Sequence, residues 1–252
     1  MINTMIKKEF RECLFESKGL WMVFSTAVLL SILSIVVVNI KEGSVLAQTD
    51  ILQYAMKAIF FLTFIVSLVL GASSFVSERE ENTMESLLLT PVSKEMLTFS
   101  KYVGVLLIGC AILAISMPYL VAIGLGTQFV GTSVILTLFI GGILELSFVA
   151  IAVAFSILFQ SSKASILTSI LVLILVFMPG MMSGLLKQSV IGRILLRMDP
   201  IANAFDMMKA VLSDQLPIHE QLVHLPSLVI FLIIAFIFLC WAGGKVSLKG
   251  EK

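Results

Sequence analysis

Six long apolar runs, separated by shorter stretches where the charges collect, dominate this chain. Each run approaches or exceeds the ~20 residues a helix needs to cross a hydrocarbon core. The pattern predicts membrane spans at about 20–40, 58–76, 102–125, 134–159, 165–184 and 225–243. Ahead of them, Ile2, Ile6, Phe10, Cys13 and Leu14 fall on one helical face, and Lys7, Lys8, Arg11, Glu12 and Lys18 fall elsewhere. That is the pattern of an amphipathic helix lying in the membrane interface; a peptide binding a partner's flank is the other reading. Lys41–Lys57, Gly126–Ser133 and Gln160–Ala164 read as short loops. Residues 185–225 are too apolar for a simple loop. Leu186, Val190, Ile194 and Met198 repeat every four, and Asp199-Pro200 caps a second short helix with Ile201, Phe205, Met208 and Leu212 on its apolar face. Two short helices dipping into the outer leaflet are expected here.

Small residues mark where helices should approach closely: Ser67 with Gly71, the stripe Ser161, Ser165 and Ser169, and Gly180 with Gly184. Pro118 removes a backbone donor inside the third span and should kink it.

The polar island Ser77–Lys101 interrupts this apolar background. Glu78, Arg79, Glu80 and Glu81 come first. Asn82-Thr83-Met84-Glu85 reads as a helix start, with Asn82 as the cap and Glu85 reaching back to it. Met84, Leu87 and Leu88 then share one face, and Thr90-Pro91 ends the helix because the residue before proline is pushed out of the α region. Ser93 can cap the next helix. A short helix held between two spans, with an apolar face toward water, is suited to pressing on a partner; a solvated loop with one helical turn is the plainer alternative.

Composition agrees with a membrane protein. The chain has 252 residues, 59% hydrophobic and only 13% charged, where soluble domains carry about one quarter charged residues. The expected fold is a single all-α polytopic membrane domain over residues 1–252. Six spans put both termini on one side. Of the seventeen basic residues, eleven then lie on the side of the termini and six on the other, which puts the termini and the 77–101 island in the cytoplasm. A net charge of +1 gives no reason to expect a nucleic-acid partner. Cys13, Cys110 and Cys240 have no disulfide or metal spacing, and His219 and His224 are too few for a metal site. There is no phosphate-binding loop of the G-x-x-x-x-G-K-[ST] type, so catalytic residues, cofactor and metal are all expected to be absent from this chain. Glu145 stands alone near the middle of span four, where an ionisable group costs ~3 kcal/mol to insert. It reads either as a polar point on a substrate or proton path or as a satisfied hydrogen bond to a Ser or Thr.

The run E-R-E-x-x-T-x-E-x-L-L-x-T-P-V-S over Glu78 to Ser93, followed by Lys101 at the head of a span, resembles the ABC type-2 permeases, the membrane subunits of ATP-binding-cassette exporters. It departs at Asn82 and Met84, where Gly and Leu are common. The resemblance implies a coupling helix that docks on an ATPase through Glu78, Glu80, Asn82, Thr83, Met84, Glu85, Leu87, Leu88 and Pro91, with a substrate path near Glu145, Pro118 and Tyr119. It also implies two ATPase subunits that bind ATP and Mg, a second permease subunit, identical or homologous, and a cell membrane of the prokaryotic plasma-membrane kind as the setting. An ion-coupled carrier or channel using Glu145, or an ABC complex serving assembly of an exported protein, are the alternatives.

Overall fold

The computed structural model describes residues 2–16, 19–39, 45–83, 93–181 and 188–246. Its helices are α1 (Ile2–Arg11), α2 (Gly19–Asn39), α3 (Val45–Ser73), α4 (Val76–Glu80), α5 (Lys94–Gly124), α6 (Val130–Leu158), α7 (Ser162–Met181), α8 (Val190–Met198), α9 (Pro200–Leu212) and α10 (Leu225–Gly243). A single π turn, Glu12–Glu16, continues α1, and a 3-10 segment, Ile218–His224, precedes α10. No strand occurs among the described residues. Six helical stretches are long and apolar enough to cross a membrane, so this is an all-α polytopic membrane protein.

The expected loop Lys41–Lys57 is a correction. From Val45 onward it is helix, continuous with the second span through Ser73. The polar residues Thr49, Asp50, Gln53 and Lys57 hid that continuity. They do not break a helix; they mark where it leaves the apolar layer. At 1.5 Å per residue, the 29 residues of α3 reach about 44 Å, well beyond the ~30 Å hydrocarbon core.

Helices α3 and α6 lie at the centre, while α2, α7 and α10 turn most of their residues outward. The core around them is aromatic. Phe64 packs on Phe148 at 4.9 Å between ring centroids and on Phe60 at 5.8 Å, and Phe148 meets Phe231 at 5.5 Å. Such pairs add about 0.5–1.5 kcal/mol each beyond burial. The predicted small-residue contacts form: Ser67 is buried, and a Cβ built on Gly71 would lie 2.8 Å from that of Ala152 in α6. Ser165 and Ser169 are also buried, while Ser161 precedes α7 and is exposed. Gly180 lies against Ala202 of α9; Gly184 is outside the described residues. Pro118 sits inside α5, which runs on through it to Gly124.

The two short helices before the last span form as expected. The Asp199 carboxylate caps α9 by accepting from Ile201 N at 2.9 Å, with Pro200 at the first helical position. Ile201, Phe205, Met208 and Leu212 are all buried in the core. The face of α8 that carries Val190, Ile194 and Met198 is instead exposed.

Candidate functional site

Helix α3 stops at Ser73, and α4 starts anew at Val76. The interruption frees backbone donors, which a protein must satisfy. Ser156 of α6 does so: Phe75 N and Val76 N both donate to its Oγ, at 2.7 and 3.1 Å. On the acceptor side, the Ser74 hydroxyl returns to Gly71 O at 2.8 Å. The kink is therefore held by α6 and aims α4 across the ends of the bundle.

Each residue of the Glu78-Arg79-Glu80 run then holds a different helix. Glu78 Oε1 receives the Lys101 ammonium of α5 at 2.5 Å. Arg79 is buried and its Nη1 donates to Phe159 O, the carbonyl that ends α6, at 3.0 Å. Glu80 accepts from Ser162 N at 2.9 Å and from Ser162 Oγ at 2.6 Å, at the start of α7. The signs suit the helix dipoles: a cation at a C-terminus and an anion at an N-terminus, each worth about 0.3–1 kcal/mol when exposed.

Lys101 is the centre of the arrangement. Its side chain is 3% exposed, and besides Glu78 it donates to Glu9 Oε2 of α1 at 3.1 Å, with the Phe75 ring 5.3 Å away. One carboxylate oxygen from each of Glu9, Glu12 and Glu78 lies within 4.8 Å of the other two. The Lys101 ammonium, bonded to two of these groups, makes that crowding tolerable. Glu12 has Lys8 at 3.3 Å as well. Helix α1 reaches this depth because Gly104 of α5 has no side chain; a Cβ there would lie 3.1 Å from that of Glu9. In the same pocket, burial pushes the Cys13 thiol up to about 11, so it stays protonated and unreactive near neutrality.

Glu9 was not among the residues singled out above. Its position between Ile6, Phe10 and Cys13 was the available signal: a carboxylate on the apolar arc of an amphipathic helix needs a partner. The helix is thus docked on α5 through an ion pair as well as through its apolar face.

The helix start expected over Asn82–Glu85 runs into residues outside the described ones, and Asn82 itself ends α4. Its φ is +58°, in the left-handed region that Asn tolerates better than most residues. Thr83 N donates to Glu78 O at 2.9 Å and Asn82 N to Arg79 O at 3.4 Å, the paired bonds of a Schellman terminus. A left-handed terminus is where glycine fits best, which accounts for Asn in place of Gly. Ser93 caps α5 as expected, accepting from Met96 N at 3.3 Å. Met84, Glu85, Leu87, Leu88 and Pro91 lie outside the described residues.

Glu145 belongs to a different place. It is fully buried, and neither carboxyl oxygen has a hydrogen-bond partner among the described residues. Of the two readings, the hydrogen bond has one candidate, Ser67, whose hydroxyl lies beside the carboxyl in a geometry short of a well-formed bond. The carboxyl fills a notch that only glycine leaves, since a Cβ on Gly109 of α5 would collide with it. Pro118 and Tyr119 are not gathered around it. Pro118 is exposed nine residues beyond Gly109, about 13 Å along the helix. Tyr119 shares a hydroxyl hydrogen bond with Ser31 of α2 at 3.1 Å.

Comparison with known families finds a match over residues 33–242 to the model described as ABC-2 family transporter protein. No curated protein matches. The matched range takes in all six spanning helices from within α2 onward, together with α4 and the 84–92 segment.

Proposed function

The chain belongs to the ABC-2 transporter family, a permease-type membrane subunit that is not itself catalytic, and from that premise we propose that it is the permease of an ATP-driven exporter. Two copies of a separate ATPase bind ATP and Mg in the cytoplasm, on the side of the termini. A second permease, identical or homologous, completes the path. One observation carries this reading: α4, which grips α5, α6 and α7 through charged and polar bonds and reaches α1 through Lys101, leads directly into the 84–92 segment whose sequence resembles a coupling helix. A push on that segment reaches four helices through bonds that are short and buried or helix-capping, so it reorients the helices as a group.

In this reading Glu78 and Glu80 face the spans and pass force on, while Met84, Leu87 and Leu88 supply the surface that meets the ATPase. Glu145 is the polar point that the other state uncovers. A buried polar group without partners costs about 1–3 kcal/mol, and separation of α5 from α6 relieves that cost by admitting water or substrate. The same unpartnered carboxyl is what favours the second reading, an ion-coupled carrier that needs no ATPase.

The test is Leu88→Asp in the chain co-expressed with an ABC ATPase and reconstituted in proteoliposomes. An unpaired charge in a buried contact costs several kcal/mol, so ATPase co-purification and ATP-dependent transport fall while insertion is normal. Transport that continues without any ATPase, driven by an ion gradient and lost in Glu145→Gln, establishes the carrier instead.

A further inference from the structure

The corner between α8 and α9 has no part in the reading above. In α8 only Gly192 and Leu196 are buried. Val190, Ile191, Ile194, Leu195 and Met198 are each more than half exposed, an apolar arc turned away from the protein. Arg193 and Arg197, one turn apart, border that arc. With Val190 and Ile194 they line an open cleft of about 250 Å³. Neither arginine has a carboxylate partner among the described residues.

This arrangement is braced from behind. The Asn203 amide donates to Leu196 O at 3.0 Å, Arg197 O at 3.1 Å and Asp199 O at 2.8 Å, closing the end of α8. Its oxygen meets His224 Nδ1 at 2.9 Å. Helix α9 in turn is moored to the first turns of α3, with Gln53 Nε2 donating to Ser213 Oγ at 2.5 Å and Lys57 lying 4.7 Å over the Phe205 ring. These turns belong to the part of α3 that outruns the hydrocarbon core, so α8 sits where acyl chains give way to head groups.

We propose that α8 binds a phospholipid with an anionic head group: its phosphate lies on Arg193 and Arg197, and its acyl chains run along Val190 and Ile194. The apolar arc suits lipid chains and the paired guanidiniums suit a phosphate oxygen pair. This needs only the bilayer, and stands whether or not the protein is an exporter.

The experiment uses the purified full chain in dodecyl maltoside with phosphatidylglycerol, phosphatidylcholine or inorganic phosphate added. Retained lipid is read by native mass spectrometry and Tm by scanning fluorimetry. The chain retains phosphatidylglycerol and gains Tm from it, with little response to the other two. Arg193→Gln with Arg197→Gln folds normally, both residues being exposed, and retains phosphatidylglycerol about twenty-five-fold less, since each interfacial arginine contributes about fivefold. Equal retention by the wild type and the double variant overturns the proposal. So does a response to inorganic phosphate equal to that of the lipid. A third contrary result is disulfide cross-linking between Ile194→Cys copies in phosphatidylcholine nanodiscs that phosphatidylglycerol does not reduce, because the arc is then covered by a second copy of this chain.

Discussion

Helix α5 carries two buried carboxyl sites on its flanks, and they are built on opposite principles. Near its start, Lys101 draws Glu78 and Glu9 into an ion-paired joint. Eight residues on, Gly109 leaves a notch that Glu145 fills with no cation and no hydrogen bond among the described residues. The joint binds three separate segments because each carboxylate gains from its partner. The notch holds its carboxyl mainly by shape, with the Ser67 hydroxyl as its polar neighbour and no cation. A joint of the first kind suits transmitting force without coming apart; a seat of the second kind suits a contact that opens during a transport cycle.

The comparison breaks most readily at Lys101. Lys101→Met leaves two carboxylates enclosed without their cation, which costs about 3–5 kcal/mol. The variant should express poorly and lose much of its thermal stability in detergent. Adding Glu9→Gln and Glu78→Gln should recover most of that loss. If Lys101→Met melts like the wild type, the joint is not what holds α1 and α4 in place.

Gly109→Ala tests the notch. The added methyl meets the Glu145 carboxyl, and overpacking of this kind costs about 1–3 kcal/mol. Combined with Glu145→Ala, the same change should be nearly neutral, because residues in contact do not add. An equal loss of Tm for Gly109→Ala in both backgrounds would mean that the carboxyl is not seated there.

Asp199 supplies a third buried carboxyl and the smallest effect. Burial lifts it from the usual 3.8 to about 6, with the backbone N–H groups of Ile201 and Ala202 pulling the other way. The native state therefore holds this proton more tightly than the unfolded chain does. Its contribution to stability is greatest below about pH 4, declines as pH rises to about 6 and is flat above. Asp199→Asn keeps an acceptor for the cap and removes that component. A Tm profile between pH 4 and 6 that is identical in the two proteins would assign the dependence to other groups.

Much of the architecture could be read from the chain alone. The spans, the helix at the start, the cap at Asp199 and the cap at Ser93 all follow from local rules: apolar length, helical period, and side chains that satisfy backbone donors within a few residues. Such rules fail where polar residues resemble a loop. Thr49, Asp50, Gln53 and Lys57 continue α3, because a helix that outgrows the bilayer keeps its hydrogen bonds whatever it meets outside. The same rules do not reveal the end of α4 at Asn82 either, because that short helix depends on the α3–α4 kink, and the kink rests on Ser156, about eighty residues away.

The candidate site was half visible. The charged run at 78–80 and Lys101 stood out by type, and Glu145 by depth. Their partners did not, because Glu9, Phe159, Ser162 and Gly109 are distant in sequence and ordinary in kind. A charge buried in a low-dielectric interior is worth what its neighbours make it worth. Residue types and their spacing therefore determined that this chain has six helices long and apolar enough to cross a membrane among its described residues, and where its charges would be costly. The packing of α1, α4, α5 and α6 against one another decided which of those charges are paired, which one is left alone, and hence which contact holds and which can open.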